Sequence, residues 1–411
     1  MRYNQIMKII ADLHIHSKYS RAVSPLMSLE NLDAWADDKG ISVIGTGDFT
    51  HPAWIKDIQK KLEPTESGLF KLRKEFKKKT MKGTFAETRF MLTVEISCIY
   101  SRGGKTRRVH NLIFTPSFES ALKINLALSK IGNLKSDGRP IIGLDSEELL
   151  KIALWYGAVL VPAHIWTPWF AIFGSMSGFN SIEECFGDNS KYIFVVETGI
   201  SSDPAMNWRV SNLDKVALIS NSDAHNLERI GREANVFECE LSYKGIIDAI
   251  SDKKKFIETI EFFPEAGRYH LDGHRVCEVI WTPQQTRKHK NICSACGSKV
   301  TVGTLNRLAQ IADRKEGCSD KGRVPYRNLV PLDEIIGAAL GYGKKSKAVQ
   351  KEYLKLILAF GSELNVLINV SQKQIAIASN SRIAEGVTRV RTGKLKIAPG
   401  YDGVYGRVAI F

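Results

Sequence analysis

Asp12, His14 and His16 alternate with Leu13 and Ile15 directly after an apolar run at 9–11. Such alternation predicts a β-strand, on which residues 12, 14 and 16 share one face. An acid and two imidazoles on one face suit a metal site, since neutral imidazole and carboxylate are common ligands of zinc, manganese and iron. The pattern recurs along the chain. Six of the nine histidines stand, with several acids, at or just beyond the ends of strand-like segments: His14 and His16, Asp48 and His51, Glu95, His110, His164, and Asp223 and His225. One histidine at a strand end is more often a hydrogen-bonded structural group than a ligand. Convergence of the whole set is not explained that way, and it exceeds what one ion can take up. Two or three metals sharing a bridging carboxylate are expected, an arrangement that serves phosphate ester hydrolysis.

A second constellation lies in "HLDGHRVC" and "NICSACG". Cys293 and Cys296 have the two-residue spacing of a zinc knuckle, and His274 with Cys277 supplies a second pair at matching spacing. His270 competes with these as fourth ligand. Four protein ligands leave no open position, so this zinc would be structural.

Elements must bring these groups together. Strand candidates fall at 8–16, 42–48, 90–97, 109–115, 158–164, 193–197, 216–222 and 235–239, with helical patterns between several of them, as at 28–40, where Ser28 is a candidate N-cap and Gly40 a C-cap. Alternating strand and helix predicts an α/β fold with a mostly parallel sheet. The number of strands favours a TIM-like barrel, which gathers strand ends on one face. Residues 1–262 are expected to form this barrel, 263–325 a small zinc-binding module, and 326–411 a helical C-terminal domain in which Gly341 stops one helix.

The chain has 411 residues, 44% of them hydrophobic and 25% charged, which excludes disorder and collagen-like repeats. No apolar run reaches the roughly 18 residues of a membrane span, and no signal-peptide pattern is found. A cytoplasmic protein without a membrane partner is expected. The formal charge of +14 makes nucleic acid the first candidate partner. Among seven cysteines, Cys98, Cys185 and Cys239 lie in apolar contexts and read as reduced core residues.

The motifs "DLHIHS", "GDFTHP", "TVEIS", "HNLIF", "PAHIW" and "SNSDAH" occur in this order and resemble those of the polymerase and histidinol phosphatase (PHP) superfamily. The resemblance spans about residues 8 to 240. It implies a distorted seven-stranded β/α barrel with a trinuclear metal site, in which His14, His16, Glu95 and Asp223 hold one ion. Glu95 as a bridge, with His110 and His164, would hold the second, leaving Asp48, His51 and His225 for a third. The superfamily's second motif runs threonine, aspartate, histidine without a gap. Here Phe49 and Thr50 separate Asp48 from His51, so the third site departs from the superfamily's pattern. Asp12 reads as an acceptor orienting His14 or His16. With Asp223, Glu95 and His164 it completes the expected catalytic set.

Further stretches, among them "HIWTPWFAIFGSMSGFNSIEECFGD", "SNSDAHNLERIGREAN", "GRYHLDGHRVC" and "PGYDGVYG", resemble the DNA repair endonucleases of this superfamily over nearly the whole chain. That resemblance implies divalent zinc, magnesium or manganese in the barrel. It also implies damaged DNA as the partner, cut 5′ to a deaminated base (uracil, hypoxanthine or xanthine) or an abasic site, leaving a 3′-hydroxyl and a 5′-phosphate. A sliding clamp is a candidate partner, although no clamp-binding peptide is found, and a monomer is expected. Reading such a lesion requires flipping the base out of the duplex. Asn221 is the candidate reader of the new carbonyl, the alternative being that it bonds backbone at a strand end. Trp166, Trp169, Phe170, Phe173 and Phe179 are candidates to fill the gap or to be core. Basic stretches at 71–79 and 101–109, together with Tyr401 and Tyr405, are candidates for backbone contact. Two other functions share the barrel: a small-molecule phosphatase, and a non-catalytic DNA-binding subunit. Neither needs both a full ligand set and a zinc module.

Overall fold

A computed structural model describes residues 6–318 and 322–411. Seven strands form a ring: β1 (Ile6–Asp12), β2 (Val43–Gly45), β3 (Arg89–Arg102), β4 (Lys105–Thr115), β5 (Val159–Pro162), β6 (Val195–Glu197) and β7 (Ala217–Ile219). Ladders join β1 to β2 and β2 to β3 in parallel, β3 to β4 and β4 to β5 antiparallel, and β6 to β7 in parallel. Hydrogen bonds just past the strand ends carry the ring on. The Ile165 N–H donates to Glu197 O at 3.1 Å, and the His16 N–H donates to Ala224 O at 3.0 Å. The eighth strand candidate, β8 (Ala234–Glu240), lies outside the ring, antiparallel to β1, and β9 (Phe256–Glu261) pairs antiparallel with it.

The sheet is therefore mixed rather than mostly parallel, and the main cause is local. Gly103 and Gly104 both have positive φ, 62° and 71°, as a tight two-residue hairpin turn requires. This turn sends β4 straight back along β3 from Leu92↔Thr115 to Arg102↔Lys105, so the basic stretch at 101–109 is the tip of a long hairpin. The other basic stretch begins in a short strand, Phe70–Leu72, and continues through a 3₁₀ turn, Lys74–Phe76.

All seven ring strands contribute to one apolar core, including Ile9, Ala11, Val43, Met91, Leu112, Val161, Val195 and Ala217. The ring interior is the one place these strands face in common, and its filling makes the barrel a packed core rather than a pore. A larger core runs from the barrel's flanking helices into the C-terminal helices Leu332–Leu340, Lys347–Phe360, Glu363–Ile368, Gln372–Ala378 and Ser381–Arg391. Ser346, Ser362, Ser371 and Asn380 cap four of these helices with side-chain acceptors. Gly341 ends the first at φ 72° and Gly40 ends Leu29–Lys39 at φ 91°, whereas Ser28 makes no side-chain cap bond. A buried ion pair ties barrel to helices: Lys39 Nζ lies 2.5 Å from Glu363 Oε2, to which the Tyr353 hydroxyl also donates at 2.6 Å. Cys98, Cys185 and Cys239 are buried free thiols. Among the described residues no helix is long and apolar enough to cross a membrane.

Candidate metal centre and nucleic-acid interface

β1 ends at Asp12, and the chain then carries His14 and His16 past the strand end into the ring's mouth. Asp223 follows β7 in the left-handed region at φ 46°, and His164 follows β5 at φ 28°. Non-glycine residues held there cost about 1–3 kcal/mol each and cluster at functional sites. The strain turns these side chains toward Glu95, which rises from β3.

His14, His16, Glu95 and Asp223 form one group, with ligand atoms all within 4.8 Å of one another. His16 Nε2 lies 3.2 Å from Glu95 Oε2 and 3.1 Å from Asp223 Oδ1, and His14 Nε2 is 3.6 Å from each of these oxygens. A tetrahedral ion with bonds of about 2.0–2.1 Å would have ligand–ligand edges of about 3.3–3.4 Å, so the spacing fits. His14 Nε2, His16 Nε2 and Asp223 Oδ1 are buried and make no hydrogen bond. Three orphaned ligand atoms aimed at one point are costly unless a cation joins them.

Glu95, His110 and His164 form a second group. Here the other oxygen of Glu95 serves, 2.6 Å from His110 Nδ1 and 2.9 Å from His164 Nε2, while the two rings approach to 3.3 Å. Glu95 thus presents Oε2 to one histidine set and Oε1 to the other, the geometry of a bridging carboxylate. Burial alone would depress His14 and His16, yet carboxylates hold both well above the ordinary imidazole pKa: Glu197, Asp223 and Glu95 act on His14, and Asp48, Asp223 and Glu95 on His16. The same burial would raise Glu95, and His110, Arg139 and His14 hold it far below the usual carboxylate range instead. This is a pocket that demands positive charge.

The acids that orient the imidazoles are not the expected ones. Both oxygens of Glu197 lie 3.0 Å from His14 Nδ1, and Asp48 Oδ1 lies 3.1 Å from His16 Nδ1. Asp12 touches neither ring. Because the strand stops at Asp12, the alternation lapses there, and its carboxylate accepts from the Ser222 N–H at 3.1 Å and the Gly231 N–H at 2.9 Å. It fixes the loop that carries Asp223, and burial pushes its pKa up to about 6. Asn221 also turns away from the opening. Fully buried, it accepts from the Leu13 N–H at 2.8 Å and donates to Glu197 Oε1 at 2.9 Å, which makes it a brace behind His14 rather than a base reader.

Asp48, His51 and His225 are not gathered into a third cluster. Asp48, at φ 51°, turns back to accept from the Ser17 N–H at 2.6 Å, Ser17 Oγ at 2.7 Å and Ser20 Oγ at 2.9 Å. The two extra residues place His51 at the N-terminus of the helix Pro52–Lys61, where its ring stacks on Tyr19 at 4.4 Å. His225 Nδ1 bonds Asp223 O at 2.8 Å, and its ring meets His16 edge-on at 4.7 Å.

His274, Cys277, Cys293 and Cys296 come together as the remaining group. The Gly297 N–H donates to Cys293 O at 2.9 Å and the Cys293 N–H to Ser298 O at 2.7 Å, which closes the knuckle. His270 stays outside the group. Trp166, Phe173 and Phe179 are buried core, whereas Trp169 meets Tyr269 edge-on at 5.3 Å and Phe170 lies 4.6 Å from the His110 ring. Tyr405 is 70% exposed, with the Arg268 guanidinium 4.9 Å from its ring, while Tyr401 is half-buried. On the zinc module Arg275, Arg287, Lys288, Lys290 and Lys299 are all exposed.

A seven-stranded ring with a histidine and carboxylate cluster at its mouth, bridged by one glutamate, defines the class: a PHP-type barrel. Residues 331–394 match the family described as the MJ0043 C-terminal domain. The chain is 34% identical over 251 residues to an uncharacterized protein, MJ0043, of Methanocaldococcus jannaschii, covering 59% of this chain and 31% of that one, so it spans about a third of that relative's length. It is 28% identical to an uncharacterized protein, YqxK, of Bacillus subtilis, across 98% of this chain and 99% of that one. Among solved structures it is similar to the lesion-specific endonuclease PfuEndoQ of Pyrococcus furiosus at TM-score 0.86 and 31% identity, covering 98% of this chain and 95% of that one. It is equally similar, at TM-score 0.86 and 32% identity over 98% and 97% of the two chains, to endonuclease Q in complex with a 27-mer duplex substrate bearing an abasic lesion at the active site. The chain belongs to the endonuclease Q family.

Proposed function

We propose that the protein is a metal-dependent DNA repair endonuclease that hydrolyses the phosphodiester 5′ to deaminated bases and abasic sites, leaving a 3′-hydroxyl and a 5′-phosphate. The observation that carries this reading is Glu95 standing between two histidine sets, with one oxygen toward each. In the proposal His14, His16, Glu95 and Asp223 hold one divalent ion and Glu95, His110 and His164 a second, while His274, Cys277, Cys293 and Cys296 hold a structural zinc. Ions in the barrel would supply an activated water and charge stabilisation at the departing oxygen. Glu197 and Asp48 hold the imidazole rings in register for that task.

The rest of the surface supports DNA as substrate. Trp169 and Tyr269 are half-buried and meet edge-on, and Thr167 Oγ1 links the Trp169 carbonyl to His164 Nδ1, so the pair offers a stacking surface of the kind that a base leaving the helix needs. The exposed cations of the zinc module and the exposed Tyr405 suit a phosphate backbone, and neither would serve a small phosphomonoester. The test is incubation of the purified protein with manganese or magnesium and duplexes carrying a single uracil, hypoxanthine or abasic site. A nick 5′ to the lesion with a ligatable 5′-phosphate is expected. Intact duplexes in every metal would overturn the proposal.

A further inference from the structure

Arg139 is a fixed cation set against the carboxylate that the two proposed ions would share. Its Nη1 donates to Glu95 Oε2 at 3.0 Å, the oxygen that also faces His16 and His14. The placement is built, not incidental. Asp137 Oδ1 accepts from the Arg139 N–H at 3.1 Å and the Arg21 N–H at 3.2 Å, and the Gly138 N–H donates to Tyr19 O at 3.0 Å. A Cβ on Gly138 would stand 2.4 Å from both Asp48 Oδ2 and Ser20 Oγ, so only glycine lets this turn press against the Asp48 loop and deliver the next residue to Glu95.

A guanidinium cannot ligate a metal, and it stays charged at any working pH. Beside a carboxylate that two divalent ions would share, its like charge is a cost unless an anion enters the same space. Nη1 is spoken for by Glu95; no other guanidinium bond is made among the described residues, and the side chain keeps 25% of its surface exposed at the mouth. The remaining N–H donors form the planar fork that matches two phosphate oxygens.

We infer that Arg139 contacts the non-bridging oxygens of the scissile phosphodiester and stabilises the charge that builds on them during incision. This rests on the endonuclease reading above. The interaction strengthens as the phosphoryl group passes through its transition state, so it acts on rate more than on ground-state binding.

The experiment compares wild type with Arg139→Ala and Arg139→Lys in single-turnover incision of a duplex with one abasic site at saturating enzyme, with metal content measured by mass spectrometry on the same samples. Arg139→Ala should cut about 10²–10³-fold more slowly with its metal content unchanged. Arg139→Lys should fall between, since a point charge keeps the attraction but not the fork. Millimolar guanidinium ion should restore part of the Arg139→Ala rate. An unchanged rate, or a fall in rate that tracks a fall in metal content, overturns the inference, the latter by showing Arg139 to be only a counter-ion for Glu95. Failure of the wild type to cut any lesion duplex would instead sink the endonuclease reading.

Discussion

Glu197 holds His14 with both of its carboxylate oxygens, each 3.0 Å from Nδ1, so the ring is fixed with Nε2 aimed at Glu95 and Asp223. Neither group is exposed, and Asn221 secures Glu197 from behind. Partners of this kind set the tautomer and basicity of a ligand histidine. Glu197→Gln should therefore weaken divalent metal binding by about 10–100-fold while leaving the fold intact. Calorimetric titration of the metal-stripped variant with manganese checks this, and wild-type affinity would show that Glu197 has no such role.

The zinc module has a small apolar core, chiefly Trp281, Cys293 and Val300. So little buried surface cannot hold a module of this size, and metal binding must contribute directly to its folding. Chelation at neutral pH should release about one zinc ion and open this region to protease while the barrel stays resistant. Cys293→Ser should copy both effects without chelator.

The exposed cations of that module predict a salt signature. Removing one cation that pairs with a phosphate should reduce the slope of log K against log salt by about 0.9. Lys288→Ala combined with Lys290→Ala should lower the slope by about 2 and weaken lesion-bearing and lesion-free duplexes alike. An unaltered slope would place the DNA elsewhere.

Glu233 and Glu261 are buried together, and Glu261 accepts from Thr198, the residue after Glu197. Burial raises Glu233 to about 8, and burial with the charge of Glu233 raises Glu261 well above its ordinary value. An acid whose folded pKa exceeds its unfolded one binds more protons when folded. Stability then falls as pH rises from about 4.5 to about 8. Among the described residues Glu261 accepts only from hydroxyls, those of Thr259, Ser220 and Thr198, which can rotate to suit an amide. Glu261→Gln should raise the melting temperature at pH 8–9 and flatten the decline. Parallel pH profiles for the two proteins would rule the explanation out.

Much of the centre is legible in the sequence, because strand-end histidines and acids announce themselves by type: His14, His16, Glu95, His110, His164 and Asp223 converge, as do His274, Cys277, Cys293 and Cys296. Glu197 and Arg139 are not legible there. Each is a single charged residue in an ordinary loop or strand end, and its role comes from three-dimensional packing against residues about 180 or 40 positions away. Asp12 misleads for the opposite reason: it lies in phase with His14 and His16, but the strand ends at it and the phase is lost. Strand direction is hidden as well, since "RGGK" turns β4 back on β3 where alternation alone suggests crossovers.

The central claim is that a Glu95-bridged metal cluster cuts DNA beside a lesion. Single-turnover incision of an abasic-site duplex, wild type against Glu95→Gln at saturating manganese, tests it most directly. The wild type should nick the strand 5′ to the lesion, and the variant should do so at least about 10³-fold more slowly, since both ions lose a shared ligand. A variant that cuts at the wild-type rate would contradict the claim.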